Sequence, residues 1–464
     1  MAAGPASVTT PAEFAAWAQM RAPGLTFAGR DPHYAIGLEP LLRSYRVISV
    51  EDAPALEVLA SRGVQTFVLR TRSSEPAART TQSLLENDSI VQFLDTRPDT
   101  QLLVFKTSYA IELLCRRHGW GLLAAPAGLA RRWENKVMFR QMAAAHGWPQ
   151  PPGLVVELAK ADYAGLAGRL GEHFVLQAAH GYGGARTYDV QNRADFDAAQ
   201  RALRVPEVRA TAFIQGRPLT LNACVTARGV AASLPFSQAT GMPCLTRYRL
   251  GSCGNDWSAA PLHEVDPVPF VALADRVGTA LGEAGFKGIF GLDFVLGEDG
   301  TTYLIEVNPR LVASIALYTQ LELVEGRLPL LARHILAHLD PDADRAPLDL
   351  HQAAVTGAQL ILHNVNNRAI RVKGRPMTGV YRWSREEGGL KFLRPAVRAD
   401  ELVADDELLV LMPAHGRVVE SGSAYARIQV LGPVLDGHGG LRRTLDGVVE
   451  AVEGLLAEPG SAPG

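Results

Sequence analysis

The chain has 464 residues, 47% of them hydrophobic and 20% charged, with a formal net charge of −2. A chain of this length is too long to fold around a single hydrophobic core, so we expect about two to four domains. The near-neutral charge gives no electrostatic reason to expect a nucleic acid or a membrane surface as a partner. Four cysteines without a CxxC pair argue against a disulfide scaffold or a structural zinc site.

The first part of the chain alternates short apolar strands with helices. Residues 1–25 are rich in alanine and proline, and we expect them to be peripheral. The predicted strands span residues 45–50, 65–69 and 101–105, and the predicted helices between them span residues 53–61 and 109–118. Such alternation predicts a parallel sheet with helices on its faces. Residues 1–126 are therefore interpreted as an N-terminal parallel-sheet α/β domain.

The middle of the chain mixes helices with short strands. The apolar spacing over residues 130–147 predicts a single helix that ends at Gly147. Further strands are predicted at residues 153–158, 174–177, 212–215, 219–225 and 231–235, and further helices at residues 269–284 and 324–339. An acidic Asp-Gly turn joins two more predicted strands, residues 289–296 and 301–307, and indicates a hairpin.

The last quarter of the chain is rich in short strands. We interpret residues 341–347 as a linker and residues 348–456 as a strand-rich C-terminal module. Its predicted strands span residues 359–362, 369–372, 379–383, 408–412 and 425–431, with a terminal helix over residues 445–456. The predicted fold class is therefore mixed, α/β and α+β, with several domains.

The predicted hairpin carries three oxygen-donor side chains in strands that otherwise read as core. Residues two apart on a strand face the same side, so Glu306 and Asn308 point together, and the hairpin brings Asp293 beside them. Three oxygen ligands at one place suit Mg²⁺. An edge strand facing water is the alternative, but the flanking apolar residues make it the weaker interpretation because burial of unpaired charge is costly.

Arg310 lies two residues beyond Asn308 and ends the sequence Ile-Glu-Val-Asn-Pro-Arg. A guanidinium beside metal ligands can hold a carboxylate or a developing oxyanion. A surface salt bridge is the alternative. We interpret Arg310 as a catalytic and substrate-binding residue.

This two-strand pattern resembles the metal-binding end of the ATP-grasp superfamily of ligases. The resemblance covers residues 121–339 and implies two ATP-grasp subdomains, residues 127–210 with a phosphate loop and residues 211–340 with the metal site. It implies that Lys136 contacts phosphate and takes part in catalysis. The nucleotide-binding residues that it implies are Lys136, Gln177, Gly181, Gly183 and Gly184, together with Phe213, Ile214 and Gln215 at an adenine-binding hinge.

The sequence departs from the family pattern at two positions. Gln177 stands where a second phosphate-binding lysine is usual, and His180, Arg186 or Arg217 are the candidates to supply the missing charge. Arg217 also stands, before Pro218, where an acidic residue often binds the ribose. Nucleotide binding remains the expectation, with altered detail at both positions.

The resemblance implies ATP and Mg²⁺ as cofactors and activation of a carboxylate as an acyl phosphate, which an amine then attacks. The domain order, Gln177 and the strand-rich C-terminal module are similar to those of the pheganomycin-type peptide ligases, so the expected substrates are amino acids or peptides in specialised metabolism, such as antibiotic biosynthesis. Loading of an amino acid onto a carrier-protein thiol is the alternative. A carboxylase, a dinucleotide-binding oxidoreductase and a regulator without catalysis are weaker alternatives.

Substrate selection is placed in the irregular stretch of residues 241–256. Arg247 and Arg249 are candidates to hold a substrate carboxylate, and Ser252, Cys253 and Gly254 are predicted to form a tight turn facing an acyl group. Ser314 is a further candidate. A solvated loop is an equal alternative for this stretch, and Cys253 is not expected to act as a catalytic thiol.

The expected surroundings of the protein follow from the same features. No apolar run reaches the ~18–20 residues of a membrane span, and the N-terminus lacks a secretory leader pattern. We therefore expect a cytoplasmic protein with small-molecule substrates and no membrane or nucleic-acid partner. Analogy with ATP-grasp ligases adds a homodimer as one expected assembly.

Overall fold

The computed structural model describes residues 7–69, 79–181, 183–259, 262, 264–348, 354–386 and 389–457. Its first sheet is parallel and has the strand order β3-β2-β1-β4-β5. The strands are β1 (Leu25–Gly29), β2 (Arg46–Ser49), β3 (Gln65–Val68), β4 (Gln101–Val104) and β5 (Gly121–Leu123), and the helices are α1 (Pro11–Arg21), α2 (Pro54–Ser61), α3 (Thr81–Leu85), α4 (Asp88–Asp95) and α5 (Tyr109–His118). The parallel sheet and its predicted strands and helices are thus confirmed.

The N-terminal segment belongs to the core, so the expectation of a peripheral segment is wrong from residue 7 onward. Helix α1 begins after Thr10, whose side chain caps it, and it buries Phe14 and Trp17. The Trp17 indole Nε1 donates to Asp340 Oδ2 at 3.0 Å. Strand β1 follows and lies at the centre of the sheet. The alanine-rich composition hid two large apolar side chains that lie on one helix face.

The predicted helix over residues 130–147 is two helices, α6 (Ala127–Glu134) and α7 (Lys136–Ala145). Asn135 between them has extended backbone, and its side chain accepts from the Val137 and Met138 amides at 3.0 Å each. This N-cap interaction starts a new helix at Lys136, although the apolar periodicity continues across Asn135 and therefore predicted one helix. The break places Lys136 at the start of α7, where its amide donates to Ala179 O at 2.9 Å.

A four-stranded antiparallel sheet follows, with the order β6-β9-β7-β8. Its elements are β6 (Gly153–Glu157), α8 (Tyr163–Leu170), β7 (Phe174–Ala178), β8 (Thr187–Val190), α9 (Arg193–Leu203) and β9 (Glu207–Ala212). The strand predicted over residues 212–215 is wrong, because β9 ends at Ala212 and the following residues connect it to the next sheet.

The largest sheet has eleven antiparallel strands and contains the predicted hairpin. Its first elements are β10 (Gly216–Thr226), β11 (Gly229–Ala232), β12 (Phe236–Thr240), β13 (Ser252–Asp256), α10 (Val268–Glu283), β14 (Gly288–Gly297), β15 (Thr302–Asn308), α11 (Ile315–Val324) and α12 (Leu330–Leu339). The hairpin β14–β15 and helix α10 confirm their predictions. The helix predicted over residues 324–339 is instead the end of α11 and all of α12.

The C-terminal strands extend this same sheet. They are β16 (Ala358–His363), β17 (Ile370–Arg371), β18 (Gly379–Ser384), β19 (Gly389–Pro395), β20 (Glu407–Leu411), β21 (Val418–Val419) and β22 (Ala424–Val430), followed by α13 (Val448–Gly454). Strand β16 pairs with β13, so the sheet runs without interruption from β15 to β19, while β17 and β21 form a separate pair. The predicted C-terminal strands and terminal helix are confirmed.

Residues 341–347 are packed rather than free, contrary to their interpretation as a linker. Asp344 is buried and forms an isolated parallel β-bridge with Val8. Its Oδ1 lies 3.4 Å from Arg333 Nη1. Among the described residues, no helix has the length and apolarity needed to cross a membrane.

Candidate active site

The hairpin β14–β15 brings two carboxylates face to face. Asp293 and Glu306 are cross-strand partners, and a register shift follows at once because Phe294 pairs with Leu304 and leaves Ile305 unpaired. Such a bulge re-aims the side chains beside it. The Asn308 amide nitrogen donates to Asp293 Oδ2 at 3.0 Å and lies 3.5 Å from Glu306 Oε1. The structure thus brings all three predicted metal ligands together.

Lys136 reaches this group from the start of α7. Its Nζ lies 2.5 Å from Glu306 Oε2, and its side chain is only 8% exposed. Burial raises the pKa of Glu306, but the charge and hydrogen bond of Lys136, together with the charge of Arg209, outweigh burial, so the net pKa of Glu306 is lowered. Glu306 is therefore a carboxylate at neutral pH, held in place by an ion pair with the buried Lys136.

The pKa of Asp293 is shifted in the opposite direction from that of Glu306. Burial, and then the negative charge of Glu306, raise the pKa of Asp293. Two opposed carboxylates repel each other, and a divalent cation between them would relieve the repulsion, so this donor set fits Mg²⁺. The Asn308 amide oxygen now accepts from Arg310, so Asn308 would ligate a metal after rotation of its amide. Among the described residues, no group of three His, Cys, Asp or Glu side chains forms a metal site.

Arg310 bridges the metal-site residues to the parallel sheet. Its Nε donates to Glu134 Oε1 at 2.8 Å and its Nη2 to Asn308 Oδ1 at 2.9 Å. Glu134 also accepts from Lys106 Nζ at 2.5 Å. The Arg310 guanidinium lies 5.2 Å from the ring centre of Phe105. Arg310 is thus oriented on two sides beside the predicted metal ligands.

Gln177 is joined to a cation that the sequence analysis missed. Gln177 on β7 and Arg209 on β9 are register partners, and Gln177 Oε1 accepts from Arg209 Nε at 3.0 Å and from its Nη2. Arg209 Nη1 donates to the bulge carbonyl of Ile305 at 2.8 Å. Arg209 is buried, and burial lowers its pKa to about 10, so it is still charged at neutral pH.

The resemblance predicts a lysine, and thus a positive charge, at residue 177. The guanidinium of Arg209, which is bonded to Gln177, supplies a positive charge at that place instead. Within the described residues, the Gln177 side chain bonds to Arg209 and Thr187, and not to the three candidates from the sequence, His180, Arg186 and Arg217. Strand pairing was the signal that could have found Arg209, because a residue opposite Gln177 on an antiparallel neighbour shares its face.

The glycine-rich loop after β7 lies over the cleft. Gly181, Gly183 and Gly184 line it, and the last two have positive φ angles of 56° and 83°. A Cβ at Gly184 would lie 2.6 Å from Gly251 Cα, so the loop is seated directly on residues 248–251. Glycine permits both the backbone conformation and this close approach.

The three residues of the predicted adenine-binding hinge do not all reach the cleft. Phe213 and Ile214 line the cleft, whereas the Gln215 carbonyl accepts from the Glu298 amide at 3.2 Å. The Phe213 ring stacks on His173 with 3.8 Å between ring centres. The structure therefore brings the first two of these residues to the cleft.

The residues proposed for substrate selection do not form one group. Arg247 donates to Ser421 Oγ and to Asn367 Oδ1, and Arg249 donates to Asp189 Oδ2 at 3.3 Å. Both arginines are thus engaged with side chains, and neither lines the cleft. Tyr248 between them does line it.

The predicted tight turn at Ser252, Cys253 and Gly254 is wrong, because these residues belong to strand β13. Ser252 lines the cleft, but Cys253 is buried and its thiol contacts Ala239 O at 3.5 Å. Burial raises the pKa of Cys253 to about 11, which agrees with the expectation that it is not a nucleophile. Gly254 lies so close to the β16 backbone that a Cβ on it would be 2.5 Å from Gln359 O.

Ser314 lines the cleft at the start of α11. Its hydroxyl donates to Asn222 Oδ1 at 2.8 Å. Asn222 is fully buried on β10, and its Nδ2 has no hydrogen-bond partner among the described residues. Asn222 pairs with Gly291 on β14, and Gly291 pairs with Asn308 on β15, so this hydrogen bond lies next to the predicted metal ligands.

One cleft of about 860 Å³ is lined by the predicted metal ligands, by the glycine-rich loop and by the cations around them, Lys136, Arg209 and Arg310. Its walls come from the parallel sheet, the four-stranded sheet and the eleven-stranded sheet, to which the C-terminal strands β16 and β22 contribute. A cleft of this size at a junction of sheets is the usual place for a small-molecule site.

Comparison with known proteins identifies the central part of the chain. Residues 134–314 match the protein family described as ATP-grasp domain. No curated protein matches the chain significantly.

Solved structures resemble nearly the whole chain. One is the biotin carboxylase domain dimer of 2-oxoglutarate carboxylase from Hydrogenobacter thermophilus, with MgADP, ADP and bicarbonate; the TM-score is 0.58 at 14% identity, over 88% of this chain and 86% of that chain. Another is N5-carboxyaminoimidazole synthase from Aspergillus clavatus with ADP and 5-aminoimidazole ribonucleotide, with a TM-score of 0.55 at 16% identity over 93% of this chain and 98% of that chain.

A third is the biotin carboxylase of Campylobacter jejuni in a β,γ-ATP complex, with a TM-score of 0.56 at 16% identity over 88% of this chain and 87% of that chain. At these identities the likeness shows the fold alone. The predicted fold class, with a parallel-sheet N-terminal domain and an ATP-grasp fold, is confirmed.

Proposed function

Because residues 134–314 match the ATP-grasp domain, we propose that this protein is a ligase that uses ATP and Mg²⁺ to activate a carboxylate as an acyl phosphate. One observation carries the proposal. Lys136, Arg209 and Arg310 surround the carboxylates of Asp293 and Glu306 in a single cleft beneath the glycine-rich loop. Three cations beside two carboxylates suit a metal-bound polyphosphate, for which catalysis is mostly positioning and charge stabilisation.

Each residue has a role in this mechanism. Asp293, Glu306 and Asn308 would hold Mg²⁺, which when bound neutralises charge on the transferring phosphoryl group. Lys136 and Arg209 would supply positive charge to the phosphates of bound ATP, and the backbone amides of Gly181, Gly183 and Gly184, which line the cleft, would donate to phosphate oxygens. Phe213 and Ile214, which line the cleft, would bind the adenine.

Arg310 would stabilise the oxyanion that forms when the acyl phosphate is attacked. Its hydrogen bonds to Glu134 Oε1 and to the Leu311 carbonyl do not depend on the Asn308 amide, and they orient the guanidinium before the substrate arrives. Gln177 acts by orienting Arg209. Closure of the glycine-rich loop would keep water from hydrolysing the intermediate.

The proposed acceptor is an amine, and the product an amide or peptide bond with release of ADP and phosphate. We propose amino-acid or peptide substrates of specialised metabolism, as in the pheganomycin-type peptide ligases, in a cytoplasmic enzyme that forms a homodimer. A carrier-protein thiol is the alternative acceptor. We further propose residues 1–126 as the N-terminal substrate domain, residues 127–210 and 211–340 as the two ATP-grasp subdomains, and residues 348–456 as the C-terminal module.

The test is ADP release from MgATP with a panel of amino acids, alone and in pairs, with bicarbonate and with a phosphopantetheinyl carrier protein. We expect release to depend on an amino-acid or peptide pair. Release with bicarbonate alone would favour a carboxylase, and release that needs the carrier would favour thiol loading.

The assignment of the metal site is tested by Glu306→Gln, with Glu298→Gln as the matched control. Glu298 is exposed in the turn of the same hairpin. We expect Glu306→Gln to lower kcat at least about 100-fold, because it removes charge stabilisation at the reacting phosphate. Circular dichroism checks that the variant stays folded. Near-normal turnover in the folded variant would contradict the proposed function.

A further inference from the structure

A second group of charged residues lies at the carboxyl ends of the parallel strands. Arg30 and Asp31 follow β1, Glu51 follows β2 and Lys106 follows β4. The chain passes from β1 outward to β3 and then returns to the other side of β1 as β4, so β1 and β4 flank a topological switch point. Ligands of open parallel sheets bind at the carboxyl ends of strands at such a point.

Positive charge exceeds negative charge in this group. Glu51, whose side chain is fully buried, lies 2.9 Å from Arg30, 2.9 Å from Arg79 and 2.6 Å from Arg417. Asp31 lies 2.8 Å from Arg427. Four guanidinium groups thus share two carboxylates, which leaves an excess of positive charge next to the cleft.

Two of these arginines line the cleft, and they differ in exposure. The Arg30 side chain is 41% exposed, and Glu51 is its one carboxylate partner in the part of the chain that the structure describes. The Arg417 side chain is only 7% exposed. Burial lowers the pKa of Arg417, and the charges of Arg30 and Arg79 lower it further, although Glu51 opposes them. An anion in the cleft would relieve this crowding.

Aromatic rings connect this group to the reaction centre. Arg310 lies over Phe105, the Phe105 and Tyr34 ring centres are 4.3 Å apart, and Arg427 lies 4.7 Å from the centre of Tyr34. Both rings line the cleft. The two rings therefore form an apolar wall from Arg310 to Arg427, which in turn pairs with Asp31, the residue after Arg30.

We propose that Arg30 and Arg417 form a subsite for an anionic group, a carboxylate or a phosphate, carried by one of the two substrates at the end remote from the bond that forms. The rings of Tyr34 and Phe105 contact the body of that substrate. This subsite replaces Arg247 and Arg249 as the place where a substrate anion binds. The position of the reacting end rests on the proposed function, whereas binding of the anion does not.

The experiment measures anion binding to the full chain by calorimetry, with succinate and inorganic phosphate as probes. Magnesium and a non-hydrolysable ATP analogue are present at saturation, so that phosphate cannot occupy the nucleotide site. The test variant is Arg30→Gln, because Arg30 is exposed enough to be replaced without opening a cavity in the core. Arg30→Lys retains the charge, and Arg169→Gln, at an exposed position on α8, is the matched control.

We expect at least one probe to bind wild type, and Arg30→Gln to weaken that binding about tenfold or more through loss of a charge-assisted contact. Arg30→Lys should recover part of the affinity, and Arg169→Gln should have no effect. Binding of succinate alone would identify a carboxylate substrate, and binding of phosphate alone a phosphorylated one.

Two results would overturn the subsite: no binding of either probe at tens of millimolar, or binding that Arg30→Gln leaves unchanged. The nucleotide titration that precedes the experiment reports separately on the proposed function. If the ATP analogue does not bind, the ligase proposal fails, while dependence of anion binding on Arg30 still decides the subsite.

Discussion

Arg209 is a buried cation that pairs with Gln177, the position at which the resemblance to ATP-grasp ligases predicts a lysine. A buried guanidinium needs hydrogen-bond partners, and Arg209 has them in Gln177 Oε1 and the Ile305 carbonyl. Ile305 is also the bulged residue beside Glu306. Arg209 therefore links strand β9 to the hairpin that carries the predicted metal ligands, and it also brings a positive charge close to them.

We predict that Arg209→Gln lowers kcat/KM for ATP about 100-fold, the effect typical of losing one charge-stabilising donor at a reaction centre. Adding Gln177→Lys to this variant should recover at least tenfold, since the new ammonium lies on the same sheet face. The measurement is ADP release at varied ATP. Arg201→Gln, an exposed arginine on α9, serves as the control. Unchanged kinetics in folded Arg209→Gln would show that the residue is merely structural.

The glycine-rich loop takes its conformation from its contact with residues 248–251. Gly184 has φ of 83° and approaches Gly251 too closely for a side chain, whereas Gly183 has φ of 56° and open space around its Cβ position. The Thr187 amide donates to the Gly184 carbonyl at 3.2 Å, which closes the turn before β8. The loop conformation thus depends on residues about 65 positions later in the sequence.

We predict that Gly184→Ala releases the loop from this seat in the nucleotide-free protein. Cleavage by trypsin after the exposed Arg186 should become about tenfold faster, because protease access follows local opening. Gly183→Ala is the matched control, with positive φ but no clash, and it should change cleavage much less. Equal cleavage rates in the two variants would contradict the role of the seat.

Helices α11 and α12 are joined through a buried acid. Glu322 on α11 accepts a hydrogen bond from the Leu330 amide at the start of α12, with 3.0 Å between Oε2 and N. Burial raises the pKa of Glu322 to about 8, although this bond and two arginines oppose the shift. The folded protein therefore binds a proton here that the unfolded chain releases near its ordinary pKa of 4.5.

This shift predicts a stability difference that depends on pH. Stability from protonated Glu322 is fully present below about pH 4.5 and is lost as pH rises through about 8. Glu322→Gln keeps an acceptor without the charge, so its Tm relative to wild type should rise by about 2–4 °C between pH 5 and pH 8.5. Thermal melts at both pH values check this. The exposed Glu325→Gln should show no such trend, and a constant difference for Glu322→Gln would contradict the prediction.

The eleven-stranded sheet crosses the proposed boundary between residues 211–340 and the C-terminal module, residues 348–456. Strand β13 pairs with β12 on one side and with β16 on the other. Asp256 at the end of β13 accepts from the Val434 and Leu435 amides at 2.8 and 2.9 Å. One apolar core joins side chains of residues 239–259 to those of the C-terminal strands. The C-terminal strands are thus structural neighbours of the ATP-grasp domain.

We predict that a chain ending at residue 348 does not fold into a monomer that binds nucleotide. Truncation there would expose the edge of β13 and the apolar residues that pack against β16 and β22. Size-exclusion chromatography and calorimetry with MgADP are the measurements. A chain ending at residue 457 keeps every strand of this sheet and is the matched control. A folded, nucleotide-binding short chain would contradict this view of the sheet.

Several features followed from the sequence because they depend on neighbours along the chain. The alternation of apolar and polar residues and the Asp-Gly turn determined the hairpin, and the spacing within it placed Glu306 and Asn308 on one side. The same local patterns predicted the parallel sheet. The single helix over residues 130–147 failed because one cap interaction at Asn135 outweighed the apolar period.

Other features were decided only by tertiary structure. The pairing of Gln177 with Arg209, the seat of Gly184 and the meeting of Arg30 with Arg417 all join residues that are distant in the chain. Their proximity depends on the register of paired strands and on the order of strands in each sheet. Periodicity reports which face of its own element a residue occupies, but it carries no information about the element opposite, so these contacts could not be read from the sequence.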